Sequence, residues 1–107
     1  MVNPQGDENL IQKNNPNSFL DTELKEKLDA LSVNAIVLCG AMSHMCIDAT
    51  ARAALDLGLE CIVVEDACAT LDLEFKDLKI PAVQVHGSFM TALEDAGCEI
   101  TDLSTHL

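Results

Sequence analysis

Basic side chains are scarce in this sequence of 107 residues. Six Lys and Arg stand against eighteen Asp and Glu, a formal net charge of −12. Phosphate backbones and anionic membrane surfaces repel such a chain, so neither nucleic acid nor membrane is expected as a partner. No apolar run approaches the ~18–20 residues needed to cross a bilayer. The opening MVNPQGDENL is polar and acidic, unlike a signal or transit peptide, and a cytoplasmic location is the expectation. The five cysteines, Cys39, Cys46, Cys61, Cys68 and Cys98, include no C-x-x-C pair, so zinc-ribbon and thioredoxin-type motifs are absent. Their odd number and apolar settings mark free thiols rather than a disulfide framework. His44, His86 and His106 lack ligand spacing, so no metal and no cofactor is expected. No internal repeat, low-complexity tract or linker divides the chain. One domain over residues 1–107 is expected, with residues 1–9 as loop or frayed terminus.

Apolar residues make up 49% of the chain and recur with clear periods. NLIQK reads as a short strand, and NNPNS after it as a turn around a proline. Leu20, Leu24, Leu28 and Leu31 then recur at helical spacing, with Asp21 placed to cap the start and Glu23 paired to Lys27. AIVLC, residues 35–39, is apolar without alternation, which fits a strand covered on both faces of a parallel sheet. Residues 46–57 are helical in composition, with Gly58 as the stop and Asp48 able to pair with Arg52. CIVVED, residues 61–66, is a second buried strand, and ACATLDLEFKDLKI reads as loop with one helical turn. Pro81 opens a last helix in the N1 manner. That helix is apolar at Val85, Phe89, Ala92, Leu93 and Ala96, and Gly97 ends it. Gly87 inside it implies a close neighbour, and CEITDL is an edge strand. The alternation of strand and helix predicts an α/β fold: a parallel sheet between helix layers, joined by right-handed crossovers.

In such a sheet, ligands bind beyond the carboxyl ends of the strands, where the loop GAMSHM lies. Cys46 falls at the first turn of the following helix. Unpaired N–H groups and the positive end of the helix dipole favour a thiolate there, and the same groups could hold an oxyanion. Spacing alone leaves a second reading open, a buried cysteine with no chemistry. Ser43 fits a helix cap better than a nucleophile, because no histidine has the order expected of a serine triad. GAMSHM also lacks the glycine density of a phosphate loop, which argues against a nucleotide-binding flavodoxin-like module.

The block CGAMSHMCIDATARAALDLGLECIVVEDACAT closely resembles the isochorismatase-like cysteine hydrolases, and IQKNNPNSFLDTELKEKL resembles the lysine segment of that family. The resemblance implies a three-layer Rossmann-like αβα fold with Cys46 as nucleophile and Lys13 as active-site lysine. It also implies an oxyanion hole from the backbone N–H groups of Met42 and Cys46, beside a cis peptide at Ala41–Met42. His44 and Phe19 are possible substrate contacts; a solvated loop histidine and a core phenylalanine are the alternatives. Without the resemblance, Lys13 is a solvent-facing lysine at a strand end. Asp66 matches an aspartate that is mainly structural in the family. His86 falls at a surface or boundary position.

The family segment with the catalytic aspartate, of the form a-L-l-v-I-D-x-Q, has no counterpart in the sequence. The resemblance therefore covers the C-terminal half of a typical member, with the first two strands absent and a bare apolar edge expected at AIVLC. The primary expectation is a cysteine hydrolase acting on a small amide-like substrate through a covalent acyl intermediate. The alternative is a truncated, non-catalytic remnant or interaction subunit. Expected partners are a small-molecule substrate and either further copies of the chain or a complementing chain at the sheet edge.

Overall fold

A computed structural model describes residues 4–106. In chain order the elements are α1 (Leu24–Ala30), β1 (Ala35–Ala41), one π-helical turn (Ser43–Ile47), α2 (Asp48–Asp56), β2 (Glu60–Ala69), β3 (Leu73–Phe75), β4 (Leu78–Ile80), α3 (Ala82–Ala96), β5 (Glu99–Thr101) and α4 (Leu103–His106). The principal sheet is parallel with order β1-β2-β5, and β3 and β4 form a separate antiparallel pair. CEITDL does supply an edge strand. NLIQK is not a strand: residues 9–13 are irregular. The segment from Ala67 to Ile80 is not loop; it extends β2 and then folds back as the β3–β4 hairpin.

The core is aliphatic and small. Ala51 and Ala54 of α2 are fully buried and let the helix backbone approach β2, where Cys61 and Val63 are buried beneath it. Met90 and Leu93 of α3 close the same cluster, with Ile47, Leu59 and Cys98 completing it. Burying a side chain such as Val63 or Leu93 is worth about 1.5–3 kcal/mol relative to exposure. Ile36 and Leu38 of β1 pack against this cluster, but Ala35, Val37 and Cys39 are exposed. The expectation of a strand covered on both faces is corrected: β1 buries one face and is the open edge of its sheet.

Helix boundaries follow local chemistry with some differences. Gly58 and Gly97 stop α2 and α3 with φ of 84° and 123°, a region disfavoured for side-chain-bearing residues. Asp48 pairs with Arg52 at 3.0 Å on the surface of α2. Pro81 sits just before α3 rather than inside it. Asp21 is no cap; it has φ 53° and α1 begins later, after Glu23. Leu20 and Leu31 lie outside α1 and are largely exposed, because the helix is shorter than the leucine spacing implied. Nothing packs close to Gly87.

Candidate active site

The site begins with an irregularity in the sheet. Ala35 to Leu38 pair in step with Glu60 to Val63, but Gly40 and Ala41 then pair with Cys68 and Ala69. Between these pairs β1 advances two residues and β2 advances five, so Val64 to Ala67 bulge from the ladder. Gly40 sits at the shift with φ 127°, a conformation that a side-chain-bearing residue would hold only under strain. The bulge is why β2 continues past Asp66, and it brings Ala69 and Thr70 beside the loop that follows β1.

That loop is the turn carrying Cys46. The Ala41–Met42 peptide is cis. The Met42 carbonyl accepts from the N–H of Met45 at 3.0 Å and of Ile47 at 3.2 Å, closing the wide turn. Cys46 is half-buried within the turn, and α2 follows directly. Ser43 does not cap this helix. Its hydroxyl is fully buried, 2.7 Å from Nδ1 of His86 and 3.4 Å from the Ala69 carbonyl. His86 takes the boundary alternative: it is part-buried, and its Nε2 lies 3.4 Å from a Glu65 carboxylate oxygen. His44 is also held, with Nδ1 2.7 Å from the Thr70 hydroxyl and its ring edge-on to Phe89 at 6.0 Å.

Lys13 is brought toward the same helix by a polar clasp. Its ammonium donates to the carbonyls of Asn15 and Pro16, each at 3.0 Å. The Thr50 hydroxyl, 4% exposed and one turn beyond Cys46, accepts from the Ser18 N–H at 3.0 Å. It has one proton to give, to Ser18 Oγ at 3.0 Å or the Pro16 carbonyl at 3.3 Å. Lys13 makes no hydrogen bond to Cys46 itself. Phe19, next in the clasp, packs against the hydrophobic cluster, the core alternative of its two readings.

The other thiols sort themselves by burial. Desolvation, then the neighbouring Cys98, pushes the Cys61 thiol from 9.0 up to about 12. Burial likewise raises Cys98. It raises Cys68 too, against a lowering hydrogen bond from the Gly40 N–H and with help from Cys39, Glu65 and Asp66. None of these three suits a nucleophile at neutral pH. Cys39 is exposed on β1. No group of three or more His, Cys, Asp or Glu among the described residues is arranged to hold a metal ion. No helix there is long and apolar enough to cross a membrane.

Sequence spacing could not have joined Ser43, Glu65, Thr70, His86 and Phe89, which come from the turn, β2 and its exit, and α3. Asp66, a strand end matched to a mainly structural aspartate, accepts from the Leu103 N–H at 2.9 Å through its carboxylate and ties down the start of α4.

A parallel α/β sheet with a cysteine turn at the carboxyl end of its edge strand defines an α/β protein of the Rossmann-like class. The chain belongs to the Isochorismatase domain family, which matches residues 1–95. It is 52% identical over 92 residues to the uncharacterized isochorismatase family protein YddQ of Bacillus subtilis, covering 86% of this chain and 51% of that protein. It is 42% identical over 72 residues to a streptothricin hydrolase of Streptomyces noursei, covering 67% and 26% respectively. The crystal structure of an isochorismatase from Pseudomonas putida superposes with a TM-score of 0.93 at 40% identity, over 96% of this chain and 53% of that one. The chain thus spans about half the length of the Bacillus and Pseudomonas proteins.

Proposed function

We propose that the chain carries the nucleophile of an isochorismatase-like cysteine hydrolase acting on a small amide-like substrate. The observation that supports this most directly is the place of Cys46: half-buried, beyond the end of β1 and at the entry to α2. The Cys46 thiolate attacks the substrate carbonyl carbon. The oxyanion that forms is held by the N–H groups of Met42 and Cys46, groups fixed before reaction. The C–N bond then breaks as the amine takes a proton from solvent water, and a second water hydrolyses the thioester to a carboxylate and the regenerated thiolate, returning its protons to solvent. Lys13, positively charged, stabilises the thiolate but cannot accept its proton. No carboxylate hydrogen-bonds to Cys46 among the described residues, and general acid–base catalysis is typically worth ~10²–10⁴-fold. Acylation is therefore expected to outrun turnover in this chain. No cofactor takes part in this scheme.

Mass spectrometry of the protein mixed with a panel of small primary amides tests the reading. A stoichiometric acyl adduct on Cys46 with slow ammonia release is expected, and none with Cys46→Ala. No adduct on any amide, or an equal adduct on the variant, refutes it.

One observation favours a second reading. β1 leaves an open edge with Val37 47% exposed, so a second copy or a complementing chain can add a strand there. Sedimentation of the protein and of Val37→Lys separates the two: association that the lysine abolishes supports it, and a monomer at every concentration removes it.

A further inference from the structure

The chain Glu65–His86–Ser43, buried at the serine and part-exposed at the carboxylate, is not accounted for by the scheme above. It joins the β2 bulge, α3 and the thiol turn through one imidazole, with Nδ1 2.7 Å from Ser43 Oγ and Nε2 3.4 Å from Glu65 Oε2. A serine triad is excluded by access, because Ser43 is 0% exposed and no substrate can reach its oxygen. Packing alone does not call for it either. A buried hydroxyl and a half-buried imidazole carry a desolvation cost that an apolar pair would avoid, and they justify it only where orientation matters.

We propose that His86 is a positioning residue for the thiol turn, holding Ser43 so that the turn keeps Cys46 and the Met42 N–H in place; this rests on Cys46 being the nucleophile. Ser43 follows Met42 directly and precedes Cys46 by three residues, inside the wide turn closed on the Met42 carbonyl. A shift of Ser43 therefore moves both groups that act on the substrate. The hold survives a change in protonation. Neutral His86, with its proton on Nε2, donates to Glu65 and accepts the Ser43 proton at Nδ1. Protonated His86 donates from both nitrogens, and the Ser43 proton turns to the Ala69 carbonyl, 3.4 Å away. Either way Ser43 is anchored to β2 or α3 and the turn cannot slide.

Alkylation of Cys46 by iodoacetamide at pH 7, followed by peptide mass spectrometry with the exposed Cys39 as internal reference, tests this without a substrate. Cys46 is expected to react faster than Cys39 in the wild type. His86→Ala and Ser43→Ala are expected to slow Cys46 about tenfold and to leave Cys39 unchanged. His86→Asn and Ser43→Thr, which keep a polar partner at the junction, are expected to recover to within about threefold of wild type. A merely structural role would move the melting temperature but not the ratio of the two rates. Should His86→Ala fail to fold, Ser43→Ala, which deletes a single oxygen, carries the same expectation. A fast wild-type Cys46 that neither alanine variant slows overturns the positioning role and leaves the nucleophile standing. A wild-type Cys46 no faster than Cys39 overturns both.

Discussion

Thr50→Val is the substitution that best tests how the lysine segment is attached to the thiol helix. Valine keeps the shape of threonine and puts a methyl group in place of the hydroxyl. That hydroxyl accepts from the Ser18 N–H at 3.0 Å and donates to Ser18 Oγ or the Pro16 carbonyl. A neutral hydrogen bond contributes about 0.5–1.5 kcal/mol net, and a buried donor left without an acceptor costs about 1–3 kcal/mol. Thr50 is 4% exposed, so water cannot replace the lost oxygen at no cost. A loss of about 2 kcal/mol follows, or roughly 8–16 °C in melting temperature for a domain of this size. The chain has neither tryptophan nor tyrosine, so urea unfolding must be followed by far-UV circular dichroism. Thr50→Ser should retain most of the stability. Faster tryptic cleavage after Lys13 should accompany the loss in Thr50→Val, because the Pro16 carbonyl that holds the lysine is released. A change under about 0.5 kcal/mol, with cleavage at the wild-type rate, would show that the clasp does not fasten this segment.

Two further outcomes are expected. Cys61 has its folded value raised to about 12 from 9.0. Its buried neutral thiol thus contributes stability that is complete below pH 9 and is lost as pH rises toward 12, since the unfolded thiol ionises first. Urea midpoints should fall above pH 9 in wild type and fall less in Cys61→Ala; a flat wild-type profile up to pH 10.5 contradicts this. Gly40→Ala meets no steric block, since the nearest side-chain atom to an added Cβ is 4.0 Å away, but φ 127° strains any side-chain-bearing residue. A loss of roughly 1–3 kcal/mol in urea unfolding is expected, and stability equal to wild type would mean that the strand can bend elsewhere.

What was legible in the sequence was what depends on neighbours along the chain. The unbroken apolar run at AIVLC, the glycines after α2 and α3 and the Asp48–Arg52 spacing are local signals, and the structure places strand, stops and ion pair accordingly. The failures share a cause. NLIQK has strand composition but no strand beside it among the described residues, and strand pairing, not composition, makes a strand. The extension of β2 past Asp66 comes from a register shift that only pairing with Gly40 and Ala41 reveals. The partners of Ser43 and His44 were hidden for the same reason, since the shift is what carries Ala69 and Thr70 to them.

Charge distribution sets Lys13 apart in a chain with net charge −12. Lys25, Lys27 and Arg52 are each paired to a carboxylate one helical turn away, so their fields are largely cancelled. Lys13 differs. Its partners are two neutral carbonyls, which fix the ammonium in place without neutralising it. Carbonyl anchoring therefore preserves a whole positive charge where a salt bridge would have removed it. The Thr50 clasp then fastens the segment carrying that charge to α2, which begins two residues after Cys46. Surface pairs on the helices are worth little and fade with salt, whereas a cation held by backbone oxygens cannot leave without breaking two hydrogen bonds. In the proposed hydrolase scheme the two are separable: the acidic surface governs what the protein repels, and Lys13, held by neutral carbonyls, is the cation offered to the thiolate.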